Sequence, residues 1–216
     1  MKLFFLTALT SLGLQAATIT FGPISQAGGY NPGEQTSFSL TISLPQFNPT
    51  LGFLTSVQIL VETQMNRSGD MVNNGSNAAP MSYSYTLASI SVTGLGVSHV
   101  QNGSVAFTSG EVFPSVPGNG GTQNITPLQE FSSGTYIPAP ILFIGFGNVN
   151  YTVAGSAILN TGCGSGNCQT NIATLMGARM TVTYTYDPAG GEIPEPTTFA
   201  LFGLGLAGLG LLRRRS

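Results

Sequence analysis

The chain has 216 residues, of which 6% are charged: six Lys or Arg against eight Asp or Glu, for a formal net charge of −2. This excludes a basic face able to neutralise phosphates, so no nucleic-acid partner is expected. An ordinary globular chain is about one quarter charged, so solubility here must come from Ser, Thr, Asn and Gln.

Taken in order, the chain opens on Met1-Lys2, an apolar stretch from Leu3 to Leu14, and the small-residue exit Leu14-Gln15-Ala16. This reads as a secretory signal peptide over residues 1–16, cut after Ala16 or, alternatively, after Ala17. No cysteine follows closely, so a lipoprotein is not expected. The exported body then covers residues 17–187, a size that suits one domain with a real core.

Within the body, period-two alternation recurs and no long helical pattern appears. Phe38, Leu40, Ile42 and Leu44 alternate with Ser and Thr, and Val57, Ile59 and Val61 alternate with polar residues. Tyr83, Tyr85 and Leu87 share one face before the apolar phase slips to Ile90 and Val92, which predicts a β-bulge near Ala88-Ser89. Leu95, Val97 and His99 continue, followed by Val105 and Phe107. Ile141 to Phe146 is a continuous apolar run, expected as a strand buried on both faces. Val149, Tyr151 and Val153 follow. The clearest strand is the last, with Met176, Ala178, Met180, Val182, Tyr184 and Tyr186 on one face and Arg179, Thr181, Thr183 and Thr185 on the other.

Turn signals punctuate these runs at residues 28–33, at the polar stretch from Asn66 to Asp70 and on to Asn77, and at residues 114–121, where Pro and Gly set turn geometry. About eight strands so separated predict an all-β fold, a single antiparallel β-sandwich. Residues 188–192 read as a short linker.

Candidate chemistry is sparse. The body has two cations, Arg67 and Arg179, and six acids, Glu34, Glu62, Asp70, Glu111, Glu130 and Asp187. A glycoside hydrolase would need two of these carboxyls about 5–10 Å apart. A nucleophilic triad would have to use His99, the sole histidine, and no nucleophile-elbow motif accompanies it. Asp70 among Asn66, Asn73, Asn74 and Asn77 offers hard oxygen ligands for calcium, but EF-hand spacing is absent and turn geometry explains the asparagines. Tyr30 and Tyr136 are the tyrosines expected on loops, where they could serve a sugar platform. The expectation is a non-enzymatic protein with no cofactor and no metal, with carbohydrate binding as the alternative and a secreted hydrolase behind it.

Cys163 and Cys168 lie in a Gly- and Asn-rich turn of an exported chain, which favours a local disulfide. A metal or redox site is the competing reading; zinc would need two or three further ligands, and His99 is distant in sequence.

The C-terminus has three parts in fixed order. Pro194-Glu195-Pro196 cannot continue as a helix interior. Residues 197–212 form an uncharged apolar segment expected as a hydrophobic helix. Arg213, Arg214 and Arg215 then hold the end on the cytoplasmic side. Over residues 197–212 a helix spans about 24 Å, short of the ~30 Å hydrocarbon core, which suits a transient rather than a permanent anchor. Gly203-Leu204-Gly205-Leu206-Ala207-Gly208 matches a dinucleotide fingerprint, but without the strand, helix and distal acid that such a site requires; small residues of a membrane helix explain it.

This arrangement over residues 193–216 resembles the PEP-CTERM sorting tail. The resemblance implies recognition at Pro194, Glu195 and Pro196 by an exosortase-type membrane enzyme and a transient seat in the inner membrane. It also implies a Gram-negative host that makes exopolysaccharide, a candidate partner, with a cell-surface or extracellular destination. In the body, Leu44-Pro45-Gln46-Phe47-Asn48-Pro49-Thr50-Leu51-Gly52 and the Met180 to Tyr186 strand resemble the two ends of the choice-of-anchor E domain, a bacterial surface module. That resemblance implies no catalytic activity. On the residues alone, Pro45 and Pro49 frame Phe47 on a rigid corner that is structural.

Overall fold

The computed structural model describes residues 16–31, 33–189 and 203–204. Residues 1–15 of the expected signal peptide lie outside the described residues, as do Pro194, Glu195, Pro196 and Arg213 to Arg215. So does the expected C-terminal helix, apart from Gly203 and Leu204, which are helical.

The strands, in chain order, are β1 (Ala17–Ser25), β2 (Glu34–Gln35), β3 (Phe38–Pro45), β4 (Gly52–Asn73), β5 (Ala79–Gly94), β6 (Val97–Asn102), β7 (Glu111–Val116), β8 (Gly121–Asn124), β9 (Leu128–Tyr136), β10 (Asn148–Cys163) and β11 (Cys168–Pro188). One helical turn, α1 (Val105–Thr108), follows β6. One sheet runs β1-β11-β4-β8, with β2 also on β11 and β9 also on β4; the other runs β3-β10-β5-β6, with β7 also on β5. These strand pairings are antiparallel, and the two inner faces close over one core to give a β-sandwich.

The longest strands organise the fold. β4 pairs with β11 from Gly52 opposite Pro188 to Asn73 opposite Cys168. β5 pairs with β10 from Met81 opposite Cys163 to Gly94 opposite Tyr151. Because β4 leads into β5 and β10 leads into β11, this is one long two-stranded ribbon folded over at a corner. The sandwich therefore has two ends. The corner end carries residues 74–78 and 164–167. The opposite, terminal end carries the start of β1, where Ala17 pairs with Tyr186, and the close of β11.

Alternation accounts for the core. Val57, Ile59, Val61, Met65 and Met71 of β4 are fully buried against Ile42, Ile90, Val92, Tyr151 and Val153 of the other sheet, within one cluster. Four core tyrosines keep partners for their hydroxyls: Tyr83 donates to Glu111, Tyr151 to the Leu95 carbonyl, Tyr184 to the Pro45 carbonyl, and Tyr85 shares a bond with Thr174. Burial pushes the Tyr184 hydroxyl up to about 12 and raises the other three.

Several expectations are corrected. The stretch from Asn66 to Asp70 is the interior of β4 and not a loop. Its inward slots simply hold polar residues: Thr63, Arg67 and Asn73 are buried in phase with the apolar ones. Gly69 makes the continuation possible: its φ is +140°, and a Cβ there would lie 2.0 Å from the Asn171 carbonyl oxygen. Ile141 to Phe146 is not a buried strand; Pro140 opens a 3-10 turn over Pro140–Phe143, with Phe143 buried and Ile141 and Phe146 exposed. Val105 and Phe107 belong to α1, capped by the Ser104 hydroxyl. The bulge falls at Thr86, which is skipped where Ile158 pairs with Leu87 and Leu159 with Tyr85, and this turns Leu87 outward. The Phe47 corner is as expected, its ring 5.8 Å from that of Tyr184 and 5.1 Å from that of Tyr186.

Candidate functional site

Both body cations find a carboxylate, in different settings. Arg67 points into the core, where its Nη1 donates to the Ala106 and Phe107 carbonyls of α1 and its Nη2 lies 3.8 Å from Glu111. The guanidinium also sits against the rings of Tyr83 and Phe107, 5.4 and 5.5 Å from their centres. Glu111 in turn accepts from Tyr83 and from the Thr126 backbone N–H. This is a fastening between the sheets.

Arg179 points outward from the six-stranded sheet. The register sets Arg179 of β11 beside Glu62 of β4, and Glu62 beside Ser133 of β9. Arg179 donates from Nε and Nη2 to the two oxygens of Glu62, each at 2.8 Å. The hydrogen bonds to Glu62 raise the guanidinium further above its ordinary value. Its other contact is the Tyr30 ring, whose centre lies 4.5 Å from the guanidinium carbon.

The segment that carries Tyr30 is held by its own polar bonds. Where β1 ends, the Gln26 side chain takes over pairing with β11: it donates to the Met176 carbonyl at 3.1 Å and accepts from the Ala178 N–H at 2.8 Å. The Tyr30 carbonyl accepts from the Gln64 amide. It also crosses directly over Gly177, where a Cβ would lie 2.1 Å from that oxygen. Partial burial raises the Tyr30 phenol above its ordinary value, and Arg179 acts in the opposite sense.

The result is a shallow groove lined by Tyr30, Glu62, Phe131, Ser132, Ser133 and Arg179, with Phe131 exposed on β9. A planar ion pair between two aromatic side chains, with serines on one wall, suits recognition of a flat polar ligand through stacking and hydrogen bonds. Glu62 is the one carboxyl among these lining residues, so the groove does not present the pair that acid–base glycoside cleavage uses.

The remaining candidates disperse. His99 is buried at the side of the sandwich, with Nε2 3.1 Å from the Thr63 hydroxyl and Nδ1 3.2 Å from the Tyr136 hydroxyl. Tyr136 donates to the Ser98 carbonyl, which leaves Nδ1 to donate to Tyr136, and the Thr63 hydroxyl lies within reach of both Nε2 and the Ser132 carbonyl. Burial lowers the imidazole below its ordinary value. Tyr136 is the last residue of β9 and not on a loop, half-buried with its hydroxyl engaged by His99 and the Ser98 carbonyl. Asp70 accepts from Asn171, while Asn73 donates to the Asn77 and Val116 carbonyls and accepts from the Gly75 N–H. Glu130 accepts from the Ser104 N–H and hydroxyl ahead of α1. Among the described residues, no cluster of three His, Cys, Asp or Glu side chains could hold a metal ion.

Cys163 and Cys168 form a disulfide across the corner between β10 and β11. Ala16 is the residue before β1, and Ala17 is the first of the strand. Sequence reasoning named Tyr30 but missed Phe131 and the pairing of Glu62 with Arg179. Opposite charges on the polar faces of two strands were the available signal, but only the register makes them neighbours.

A family model for the PEP-CTERM protein-sorting motif matches residues 192–215. No curated protein matches the chain. Among solved structures, the chain is similar to the crystal structure of the STIV MCP, with 13% identity and a TM-score of 0.25 over 82% of this chain and 49% of that one. It is also similar to the cryo-EM structure of the VLP of the giant freshwater prawn Macrobrachium rosenbergii extra small virus, with 14% identity and a TM-score of 0.22 over 87% of this chain and 88% of that one. The first match spans about half of the other protein. With TM-scores this low, neither likeness bears on fold or function. The motif at residues 192–215 points to an exported protein. Among the described residues, no helix is long and apolar enough to cross a membrane.

Proposed function

We propose that this is an exported, non-enzymatic surface or extracellular-matrix protein with a structural or adhesive role in an exopolysaccharide setting. In this reading residues 1–16 direct export, and an exosortase-type enzyme recognises Pro194, Glu195 and Pro196 while residues 197–212 sit transiently in the inner membrane. The body acts as a choice-of-anchor E type module, and the host is a Gram-negative bacterium. The observation that carries the proposal is the sorting-motif match at residues 192–215, which begins three residues after Ala189. The separate structural bonds of Glu62, Asp70, Glu111, Glu130 and His99 support a non-catalytic role. The test is the intact mass of the protein from its host, with fractionation into membrane and medium. A mass ending near Pro194 to Pro196 in the medium or outer fraction is expected. A mass that still includes Arg213 to Arg215, with the protein held in the inner membrane, would replace sorting with permanent anchoring.

Carbohydrate binding is the second reading, favoured by one observation: the groove holds Tyr30 and Phe131 around the Glu62–Arg179 pair. Titration with the host's purified exopolysaccharide, for the chain and for its Phe131→Ala variant, tests it. Binding that Phe131→Ala abolishes supports the groove; equal binding, or none, removes it.

A further inference from the structure

The terminal end of the sandwich presents a cluster of bare apolar side chains. Phe53 is 72% exposed, Ile141 73% and Phe146 78%, with Leu142 and Leu51 at 45% and 38%. Single exposed apolar residues are ordinary on a protein surface. These five lie on two adjoining segments, residues 46–53 and 140–147, that are fastened to each other. Phe47 bridges Ile144, the Gly145 N–H donates to the Phe47 carbonyl at 3.0 Å, and the Gln46 N–H donates to the Gly147 carbonyl at 2.9 Å. Beneath them, Phe47 and Phe143 are buried against Tyr184. The apolar side chains are therefore held outward by an ordered base. Phe53, Leu54, Pro140, Ile141 and Ile144 border one depression between the segments.

Three further facts say what meets this end. First, both chain ends leave from it: Ala17 pairs with Tyr186, Gly52 with Pro188, and the Ala189 N–H donates to the Leu51 carbonyl at 2.8 Å. Second, seven residues, 190–196, separate Ala189 from the apolar segment that begins at Thr197. Fully extended they reach at most about 25 Å. Third, charge is sparse on the folded part of this end: among residues 45–55, 137–148 and 184–189 the sole charged side chain is Asp187, and the tether adds Glu192 and Glu195. The corner end, by contrast, displays Asn74, Ser76, Asn77, Ser165 and Asn167.

From this we infer that the terminal end is a lipid-docking surface: Phe53, Ile141 and Phe146 seat in the interfacial layer of the bilayer that holds residues 197–212. The inference rests on the reading that the C-terminal segment is membrane-seated. A tether of seven residues keeps this end against the bilayer, and apolar side chains of this type partition into its interface while Asp187, Glu192 and Glu195 can stay at its hydrated edge. The consequence is functional. The long axis of the sandwich stands away from the membrane, and the groove at Tyr30 and Arg179 is lifted clear of lipid.

The chain has no tryptophan, so single tryptophans are clean reporters. Full-length Phe53→Trp, Phe146→Trp, Val112→Trp and Phe202→Trp variants are reconstituted in phosphatidylcholine vesicles with and without brominated acyl chains. Phe202→Trp reports the tail, and Val112→Trp, exposed on β7 toward the corner end, is the control. Blue-shifted emission that brominated lipid quenches at Phe53→Trp, Phe146→Trp and Phe202→Trp, but not at Val112→Trp, is the expected result. Quenching at Phe202→Trp alone overturns the inference and leaves the membrane reading of the tail intact. Quenching at the two body positions without Phe202→Trp keeps the lipid surface and removes the tail reading. A blue shift at the body positions that brominated lipid does not quench means a second copy or the tail covers the patch, and overturns the inference. Quenching at no position overturns both.

Discussion

The two ends of the sandwich are fastened differently, although Tyr83, Tyr85, Phe107 and Phe113 also cluster toward the corner. At the corner end, polar bonds do the fastening: Arg67 reaches α1 and Glu111, Asn73 ties β4 to β7 and to Asn77, and Asn74 and Asn167 exchange bonds between the two bends. A disulfide closes one of those bends. At the terminal end the fastening is aromatic: Phe21, Phe47, Phe143, Tyr184 and Tyr186 pack ring on ring, with apolar side chains left bare above them. The difference teaches that a protein poor in charge can still divide its surface. A hydrogen-bonded corner is satisfied in water or in a hydrated matrix, whereas a bare apolar end gains from an apolar neighbour.

The largest effect is expected at the aromatic end. Phe47→Ala removes a fully buried ring on which Tyr184 and Tyr186 rest, and should cost about 3–5 kcal/mol in urea unfolding. A loss below about 1 kcal/mol would mean the aromatic cluster does not hold that end. At the corner end, Arg67→Ala leaves two α1 carbonyls and Glu111 without their cation, and should cost roughly 3 kcal/mol. Amide exchange should then rise first in α1 and β7, and uniform loss of protection would show that the two ends do not open separately.

Replacing both Cys163 and Cys168 by serine should cost less, no more than about 2 kcal/mol, because the closed loop is short. A larger loss would mean that the bond also holds the geometry of the bend. Between the two ends, His99 supplies a titration. Its folded value is lowered from 6.5, so the unfolded chain takes up the proton first as acid is added. Stability should be unaffected by this group above the unfolded value and should fall as pH drops through 6.5 toward the lower folded value. His99→Gln should flatten that slope in unfolding curves measured from pH 8 to pH 5, and an unchanged slope would assign it to the carboxylates.

Apolar alternation alone specifies part of the strand set. Phe38 to Leu44, Val57 to Val61 and Met176 to Tyr186 are strands in the phase their side chains require, because a period of two puts every second residue on one face. The Phe47 corner and the Cys163–Cys168 bend were legible too, each a local feature set by neighbouring residues. Tertiary structure decided the rest. β4 runs on through Asn66 to Asp70 because β9, β8 and β11 supply partners and because Thr63, Arg67 and Asn73 find polar partners across the core. β9 has little apolar signal and exists through its pairing with β4. The run from Ile141 to Phe146 looked like core and is surface, since proline denies it a ladder and Phe143 alone turns inward. Glu62, Arg179 and Phe131 share a groove through strand register, and Tyr30 joins them from a turn held by the Gln26 and Gln64 amides. Register is a non-local choice, made by which inner faces fit together, and no stretch of sequence carries it alone.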